Sequence, residues 1–125
     1  MNENHPLADC ASVEFSEIAS EPQLLLERGN QLREILDRCF AECGEVPNIV
    51  FELKECNAAL QYVAMDFGLA VLPAVPAMES GKVRAVPVLM NGVQLRRPVY
   101  LTCRDVSALH PEAIRFRSYV LSNAD

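Results

Sequence analysis

The sequence is poor in glycine and contains no glycine-rich motif. Its five glycines, at positions 29, 44, 68, 81 and 92, are too widely spaced for a dinucleotide-binding fingerprint or a phosphate-binding P-loop. The GxSxG motif that positions the nucleophile of many hydrolases is also absent. The sequence therefore offers none of the usual signatures of nucleotide binding or of serine hydrolysis.

Long apolar runs and blocks of like charge are absent as well. The apolar stretches are too short to cross a membrane, and the beginning of the chain, MNENHPLADC, lacks the apolar segment of a signal peptide. We therefore expect a cytoplasmic protein. The 17 acidic and 11 basic residues give a net charge of −6. Because contacts to phosphates need clustered lysine and arginine, we expect that this chain does not bind DNA through its own surface.

Cysteine is present, but not at the spacing of a metal or redox site. There are five cysteines and no CxxC pair, and an odd number without a signal peptide favours reduced thiols. Cys39 and Cys43 share the apolar face of a helix, which favours small core residues over a metal or redox role. His5 and His110 have no partner at ligand spacing. No metal and no cofactor are predicted.

The sequence also lacks a convincing catalytic group. Cys103 and His110 are the nearest candidates for a nucleophile and its base, but a strand and a turn separate them. Glu52 and Glu55 form a carboxylate pair of the kind that is usually solvated on an acidic domain. We therefore predict no catalytic residue and interpret the chain as a scaffold for binding.

The chain does contain the pattern of a single α/β domain. Its 125 residues, 50% of them hydrophobic, suffice for one core. Apolar stripes at helical spacing predict helices at 30–44, 57–68 and 111–121, with a further helical turn at 75–80. Asn30 and Asn57 are the predicted N-caps of the first two helices, Gly44 and Gly68 their predicted ends, and Pro111 begins the third.

Short apolar runs between these helices predict strands. They lie at about 10–15, 23–27, 48–53, 69–72, 83–89 and 99–103. The runs LLL (24–26) and LAVL (69–72) do not alternate, as expected for strands covered on both faces. Pro87 restricts 83–89 to an edge or bulged strand, and 90–98 resembles a linker. Strands that alternate with helices at short spacing indicate an α/β fold with a mostly parallel sheet flanked by helices.

The order of the segments resembles a known family. HPLADCASVEFSEIASEPQLLL is followed by LREILDRCFAECGEVPNIVFE, ALQYVAMDFGLAVLPA, GKVRAVPVL, RRPVYLTCR and LHPEAIRFRSYV. This succession resembles the effector-binding region of LysR-type transcriptional regulators. VAMDFGLAVLP is similar to the helix–glycine–strand–proline signature of that family, and RRPVYLTCR to the strand that returns to its first subdomain. The resemblance runs from about His5 to Leu121.

The resemblance implies a fold and a division of the chain. The family's sensor has two Rossmann-like α/β subdomains joined by crossing strands, similar to type 2 periplasmic binding proteins. Residues 5–97 would form the second subdomain, and residues 98–125 the strand and helix that complete the first. The first half of that subdomain and the DNA-binding domain have no counterpart in this sequence, so the chain looks like a fragment.

The resemblance also implies a ligand site between the subdomains, at two helix starts and a crossing strand. The corresponding residues are Asn30, Gln31, Leu32, Lys54, Glu55, Cys56, Asn57, Pro98 and Val99. Helix N-termini present unpaired N–H groups and a partial positive charge, which suits a carboxylate. The alternative is that Asn30 and Asn57 are plain caps. Glu27 and Glu55 would repel an anion.

We therefore predict the small-molecule sensor of a transcription regulator, in which a bound effector shifts the populations of two geometries. Self-association into a dimer or a larger species is expected, and DNA would be bound by the absent N-terminal domain. The first alternative is a solute-binding protein of a transport system, which shares the fold. A cysteine-dependent enzyme is the second.

Overall fold

The computed structural model describes residues 1–74, 81–97, 105 and 109–123. Five strands and four helices lie in these ranges, in the order β1 (Val13–Glu14), α1 (Phe15–Ile18), β2 (Pro22–Leu26), α2 (Gln31–Cys43), β3 (Asn48–Leu53), α3 (Cys56–Ala64), β4 (Val88–Met90), β5 (Val93–Gln94) and α4 (Pro111–Asn123). The helical turn predicted at 75–80 and the strand predicted at 99–103 lie outside the described residues.

The strands form two small sheets that are mostly parallel. β2 pairs with β3 in parallel, and Leu69 adds a parallel bridge to β2 at Gln23. β1 pairs with β4 in parallel, and β4 continues into β5 as an antiparallel hairpin. The α/β class with a mostly parallel sheet is thereby confirmed.

β2 lies at the centre of the core, covered on both faces as its unbroken apolar run predicts. Leu24, Leu25 and Leu26 are at most 5% exposed. Leu25 packs in the same cluster as the buried residues of α2, whereas Leu24 packs with Val63 of α3. Because successive residues of a strand face opposite sides, the two helices cover opposite faces of the sheet.

α2 has the cap, stripe and end that its sequence predicts. The Asn30 side chain accepts a hydrogen bond from the Leu32 N–H, and Gly44 ends the helix in the left-handed conformation, with φ of 69°. The buried stripe includes Phe40, whose ring packs edge-on against Phe15 of α1 at 4.9 Å between centroids. This contact fixes α1 and α2 against one another.

α3 differs from the prediction at both ends. Its N-cap is Glu55, which has extended backbone angles, so Asn57 lies inside the helix and the prediction that Asn57 caps it was wrong. The helix ends at Ala64 and not at Gly68, because Asp66 takes up a left-handed conformation (φ 62°) and turns the chain. As a result Phe67, which lies within the helix predicted at 57–68, is outside α3 and is 47% exposed.

Two predicted strand regions and the predicted linker also differ in detail. The region 10–15 contributes only the two residues of β1, because a capping box between Glu14 and Glu17 begins α1 at once. In 83–89 the regular strand starts only after Pro87, which has no N–H to donate. The region 90–98 is not a plain linker, since Asn91 and Gly92 form a left-handed turn that leads into β5.

α4 forms where Pro111 predicts its start, and it differs from the other long helices in burial. None of its residues is buried, and Ile114, Phe116, Tyr119 and Leu121 are 43–68% exposed. No helix among the described residues is long and apolar enough to cross a membrane.

Candidate functional site

The predicted ligand residues of α2 and α3 follow the ends of two paired strands. Leu26 of β2 is directly opposite Leu53 of β3, and the Glu27 N–H donates to the Leu53 carbonyl at 2.9 Å. Since both strands run in the same direction, the loops that lead into α2 and α3 leave the same edge of the sheet. The structure therefore brings the two predicted helix starts to one edge, on opposite faces.

At the start of α2 the predicted residues play different roles. Asn30 Oδ1 accepts a hydrogen bond from the Leu32 N–H at 2.9 Å. This backbone N–H, one of those expected to bind a ligand, is therefore already paired. Gln31 is exposed, and Leu32 is buried. Glu34 places a carboxylate in the first turn of the helix. Asn30 thus acts as a structural cap, as the alternative interpretation expected.

At the start of α3 the predicted residues are mostly open to solvent. Lys54, Glu55 and Asn57 are exposed, and Cys56 is half-buried. Glu55 is the N-cap residue, but its side chain makes no capping hydrogen bond. Pro98 and Val99, the remaining predicted contacts, lie outside the described residues.

Sequence reasoning missed Arg33, a buried arginine beside the start of α2. Arg33 is 2% exposed. Nε donates to Asp37 Oδ1 at 2.9 Å, Nη1 donates to the Leu26 carbonyl at 3.0 Å, and Nη1 lies 3.6 Å from Glu52 Oε1. One side chain therefore ties the first turn of α2 to the ends of β2 and β3. The only sequence signal was its place beside the apolar stripe, three residues before Leu36.

A large groove of about 570 Å³ lies beside the first turn of α2. Its walls come from the residues 69–74, from the residues 83–88 and from apolar side chains of the two helices, among them Leu32 and Leu60. Buried residues such as Val63 and Leu69 form part of its lining. The groove has the size and the apolar character of sites that bind small organic molecules.

The polar lining of this groove is sparse and positively charged. Among the described residues that line it, the only polar side chains are Arg84, Gln94, Arg96 and Arg97. Of the predicted contact residues that the structure describes, Leu32 alone lines the groove. Sequence reasoning missed the arginines, although the pair in the segment QLRRPVY, next to the predicted contact Pro98, was the available signal.

The two thiols on α2, Cys39 and Cys43, lie in surroundings that disfavour the reactive thiolate. Burial and the nearby Glu42 carboxylate raise the pKa of the Cys39 thiol, and burial with the same carboxylate raises the pKa of the Cys43 thiol. A raised pKa lowers the fraction of reactive thiolate near neutral pH.

In the part of the chain that the structure describes, no three acidic, cysteine or histidine side chains are grouped to hold a metal ion.

The α/β architecture, with two small and mostly parallel sheets flanked by helices, is that of a type 2 periplasmic-binding-protein-like fold. The chain belongs to the LysR substrate binding domain family, whose model matches residues 1–125. The sequence resemblance is thereby confirmed.

The similar proteins in sequence are transcription regulators. The HTH-type transcriptional regulator YybE of Bacillus subtilis is 32% identical over 120 residues, which cover 96% of this chain and 40% of YybE. The RuBisCO operon transcriptional regulator of Allochromatium vinosum is 30% identical over 122 residues, which cover 97% of this chain and 40% of that protein. The chain therefore spans about 40% of the length of these curated relatives.

Solved structures with the same fold include effector-binding domains. The effector binding domain of QuiR, in complex with shikimate, matches with a TM-score of 0.73 and 21% identity over 98% of this chain and 57% of the QuiR chain. The regulatory domain of CcmR from Synechocystis PCC6803, in complex with 2-PG, matches with a TM-score of 0.66 and 16% identity over 97% of this chain and 59% of the CcmR chain. At these identities the likeness shows the fold.

Proposed function

We propose that this chain is the effector-sensing part of a LysR-type transcription regulator and that a small molecule binds in the groove beside the first turn of α2. The observation that carries this proposal is the groove itself, which is apolar, large enough for a small metabolite and adjacent to a predicted contact residue, Leu32. The ligand complexes of QuiR and CcmR support it by analogy. We propose no enzymatic role for the chain.

The predicted contacts at the helix starts belong to the same proposal. Asn30, Gln31 and Leu32 begin α2, and the residues 54–57 lead into α3 at the same edge of the sheet. Leu32 lines the groove, and we propose that the other predicted residues contact the part of the ligand nearest to this edge. Pro98 and Val99, which follow the groove residue Arg97, are proposed to complete the site.

The proposal places the chain within a longer regulator. Residues 5–97 would be the second subdomain of the sensor and residues 98–125 the returning strand and helix of the first, with DNA bound by an N-terminal domain and not by this chain. A ligand that prefers one geometry of the sensor would shift the population of a dimer or a larger assembly. A cytoplasmic location fits that role.

The relatives favour a regulator over the transport alternative. A solute-binding protein of a transport system shares the fold, but YybE and the Allochromatium protein are both transcriptional regulators. Cys39 and Cys43 do not support the cysteine-dependent enzyme, since the pKa values of both thiols are raised, which disfavours a nucleophilic thiolate. Cys103, the candidate nucleophile of that alternative, lies outside the described residues.

A variant that fills the groove tests the proposal. Ala85 lines the groove and is exposed, so Ala85→Trp should fill the groove without disturbing the core. Small organic acids, shikimate among them, and their neutral analogues are screened against the chain by calorimetry. We expect at least one to bind, and we expect Ala85→Trp to abolish that binding. Ala41→Trp, on the exposed side of α2 and outside the groove lining, is the matched control and should bind normally. Binding that survives in Ala85→Trp would show that the ligand sits elsewhere.

A further inference from the structure

We infer that the groove selects anions: its ligand is an organic acid with an apolar body, and the guanidinium groups of Arg96 and Arg97 receive the negative charge. The inference rests on the proposed function, since it names the ligand class and the charged contacts of the same groove. It differs from the sequence-based expectation, which placed a carboxylate at the helix starts with Lys54 as the nearest cation.

The first argument is the charge of the lining. The chain as a whole is acidic, with 17 acidic and 11 basic residues. Yet among the described residues every charged side chain that lines the groove is an arginine, namely Arg84, Arg96 and Arg97. Apolar walls of low dielectric constant concentrate the field of such charges. The groove is therefore a positive site on a negative protein, which collects anions and repels cations.

The second argument separates the three arginines by their existing contacts. Arg84 Nη1 donates to the Gly81 and Val83 carbonyls at 3.0 and 3.1 Å, and Nη2 lies 3.4 Å from Glu3 Oε2. In contrast, no hydrogen bond or ion pair engages the side chain of Arg96 or Arg97 in the part of the chain that the structure describes. Arg96 and Arg97 are both exposed, and the unused donors of each guanidinium match the paired oxygens of a carboxylate.

The third argument is that the helix starts are poorer places for the charge. Glu34 lies in the first turn of α2, and Glu55 is the N-cap of α3. An acidic side chain there offsets the partial positive charge of the helix N-terminus and repels a second anion. The Asn30 side chain already accepts from the Leu32 N–H. The helix starts are therefore better suited to uncharged polar groups of the ligand.

Matched pairs of neutral and charged ligands test the inference. Benzoate with benzamide and hexanoate with hexanamide have nearly the same shape, and each pair differs by one negative charge. Calorimetry on the 125-residue chain should show that each acid binds about tenfold more tightly than its amide, the gain expected for a charge-assisted hydrogen bond. Raising the salt concentration should reduce this ratio.

Three variants locate the charged contact. In the double variant Arg96→Gln/Arg97→Gln the acid-to-amide ratio should fall to about one while amide binding persists, because only the charged contact is removed. Arg38→Gln, which removes an exposed arginine of α2 that does not line the groove, should leave the ratio unchanged. Lys54→Gln tests the rival location and should change the ratio much less than the double variant.

The outcomes separate this inference from the proposed function. Amides that bind as tightly as the acids, and are blocked by Ala85→Trp, would overturn the anion selectivity and leave the proposed function intact. A ratio that falls in Lys54→Gln but not in the arginine double variant would overturn the assignment to Arg96 and Arg97. If no acid in the panel binds at millimolar concentration, anion binding by the groove is refuted.

Discussion

At the scale of single residues, Arg33 connects the first turn of α2 to the ends of β2 and β3. It is 2% exposed, whereas the side chains of its two acidic partners, Asp37 and Glu52, are 47% and 46% exposed. It also caps the Leu26 carbonyl at the end of β2. The buried guanidinium, which is paired with two partly exposed carboxylates, holds the start of α2 against both strands. The predicted ligand contacts follow the same edge of the sheet.

We predict that Arg33→Met lowers the free energy of unfolding by about 2 kcal/mol, because it leaves a buried carbonyl and Glu52 without their donor while both carboxylates keep some hydration. Urea denaturation followed by circular dichroism measures this loss. Arg38→Met changes an exposed arginine on the same helix and should stay within about 0.5 kcal/mol of the parent. Equal losses in the two variants would contradict the role assigned to Arg33.

The thiols give a second prediction at this scale. Cys10 is exposed, whereas Cys39 is buried and its pKa is raised by burial and by Glu42. Because the thiolate reacts and a raised pKa keeps the thiol protonated, Cys39 should be alkylated much more slowly than Cys10 at neutral pH. Its rate should rise only at a higher pH than an ordinary thiol requires. Mass spectrometry of a timed iodoacetamide reaction gives both rates.

A Cys39 or Cys43 that reacts faster than Cys10 near neutral pH would contradict this prediction. It would also revive the cysteine-dependent enzyme, which requires an activated thiolate. The same measurement in urea is the control, since unfolding removes the burial that separates the two sites.

At the scale of elements, local chemistry made some helices and turns predictable and tertiary contacts decided the rest. α2 was predicted with its cap because Asn30, the apolar stripe and Gly44 all agree. For α3 the sequence offered Asn57, a good capping residue, but the chain enters the helix already at Glu55, where β3 ends two residues earlier. Pairing of β3 with β2 sets that position, and pairing partners are not visible in a local pattern.

The β4–β5 hairpin is the opposite case, because the sequence contains a local signal for its turn. Asn91 and Gly92 have φ of 53° and 80°, the left-handed pair that a two-residue hairpin requires. The Gly92 N–H also donates to Glu14 Oε1 at 2.8 Å. The Asn-Gly pair predicts such a turn, so the turn could have been predicted from the sequence. The residues on either side of it resembled a linker, so the lengths of the two strands could not.

Gly68 gives a prediction at the scale of elements. It precedes the bridge from Leu69 to β2, and a Cβ built on it would lie 2.7 Å from the Pro22 carbonyl oxygen. The Leu69 N–H donates to that same oxygen at 2.9 Å. Gly68→Ala should therefore push the two backbones apart and lower the free energy of unfolding by about 2 kcal/mol, within the range for overpacking.

The matched control for this change is Gly92→Ala. A Cβ at Gly92 would meet no atom within 4 Å, so only its left-handed conformation opposes alanine, at a cost of about 1 kcal/mol. Thermal unfolding of both variants supplies the comparison. A Gly68→Ala protein that is as stable as the parent would show that the two backbones separate at no cost.

At the scale of the whole molecule, the sequence predicted the start of α2 but not the groove beside it. The residues that line the groove come from segments far apart in the chain, from Met1 to Arg97, and only folding brings them together. The predicted residues 54–57 do not line it. Capping residues and apolar stripes in a sequence indicate where helices begin. The charge of a groove depends instead on which arginine side chains the fold brings to its walls.

Among the described residues, two groups of apolar side chains are open to solvent. Phe51, Tyr62 and Phe67 form an aromatic cluster, with ring centroids 4.9–5.9 Å apart, on the β3 and α3 side. α4 exposes Ile114, Phe116, Tyr119 and Leu121. Exposed apolar surface of this kind favours association. These two surfaces support the proposed self-association of the chain.

Deletion of residues 98–125 tests this proposal and the proposed division of the chain together. No residue of α4 is buried, so its removal should leave the core formed by α1, α2, α3 and β2 intact, and residues 5–97 should stay folded. Light scattering should show a dimer or a larger species for the whole chain and a smaller mass after the deletion, because the exposed apolar face of α4 is lost. Circular dichroism of the shortened chain should retain its helical signal and a cooperative thermal transition. A whole chain that is monomeric, and whose circular dichroism collapses on deletion, would mean that residues 98–125 belong to a single core with the rest, and would refute both the division at residue 97 and the role of α4 in association.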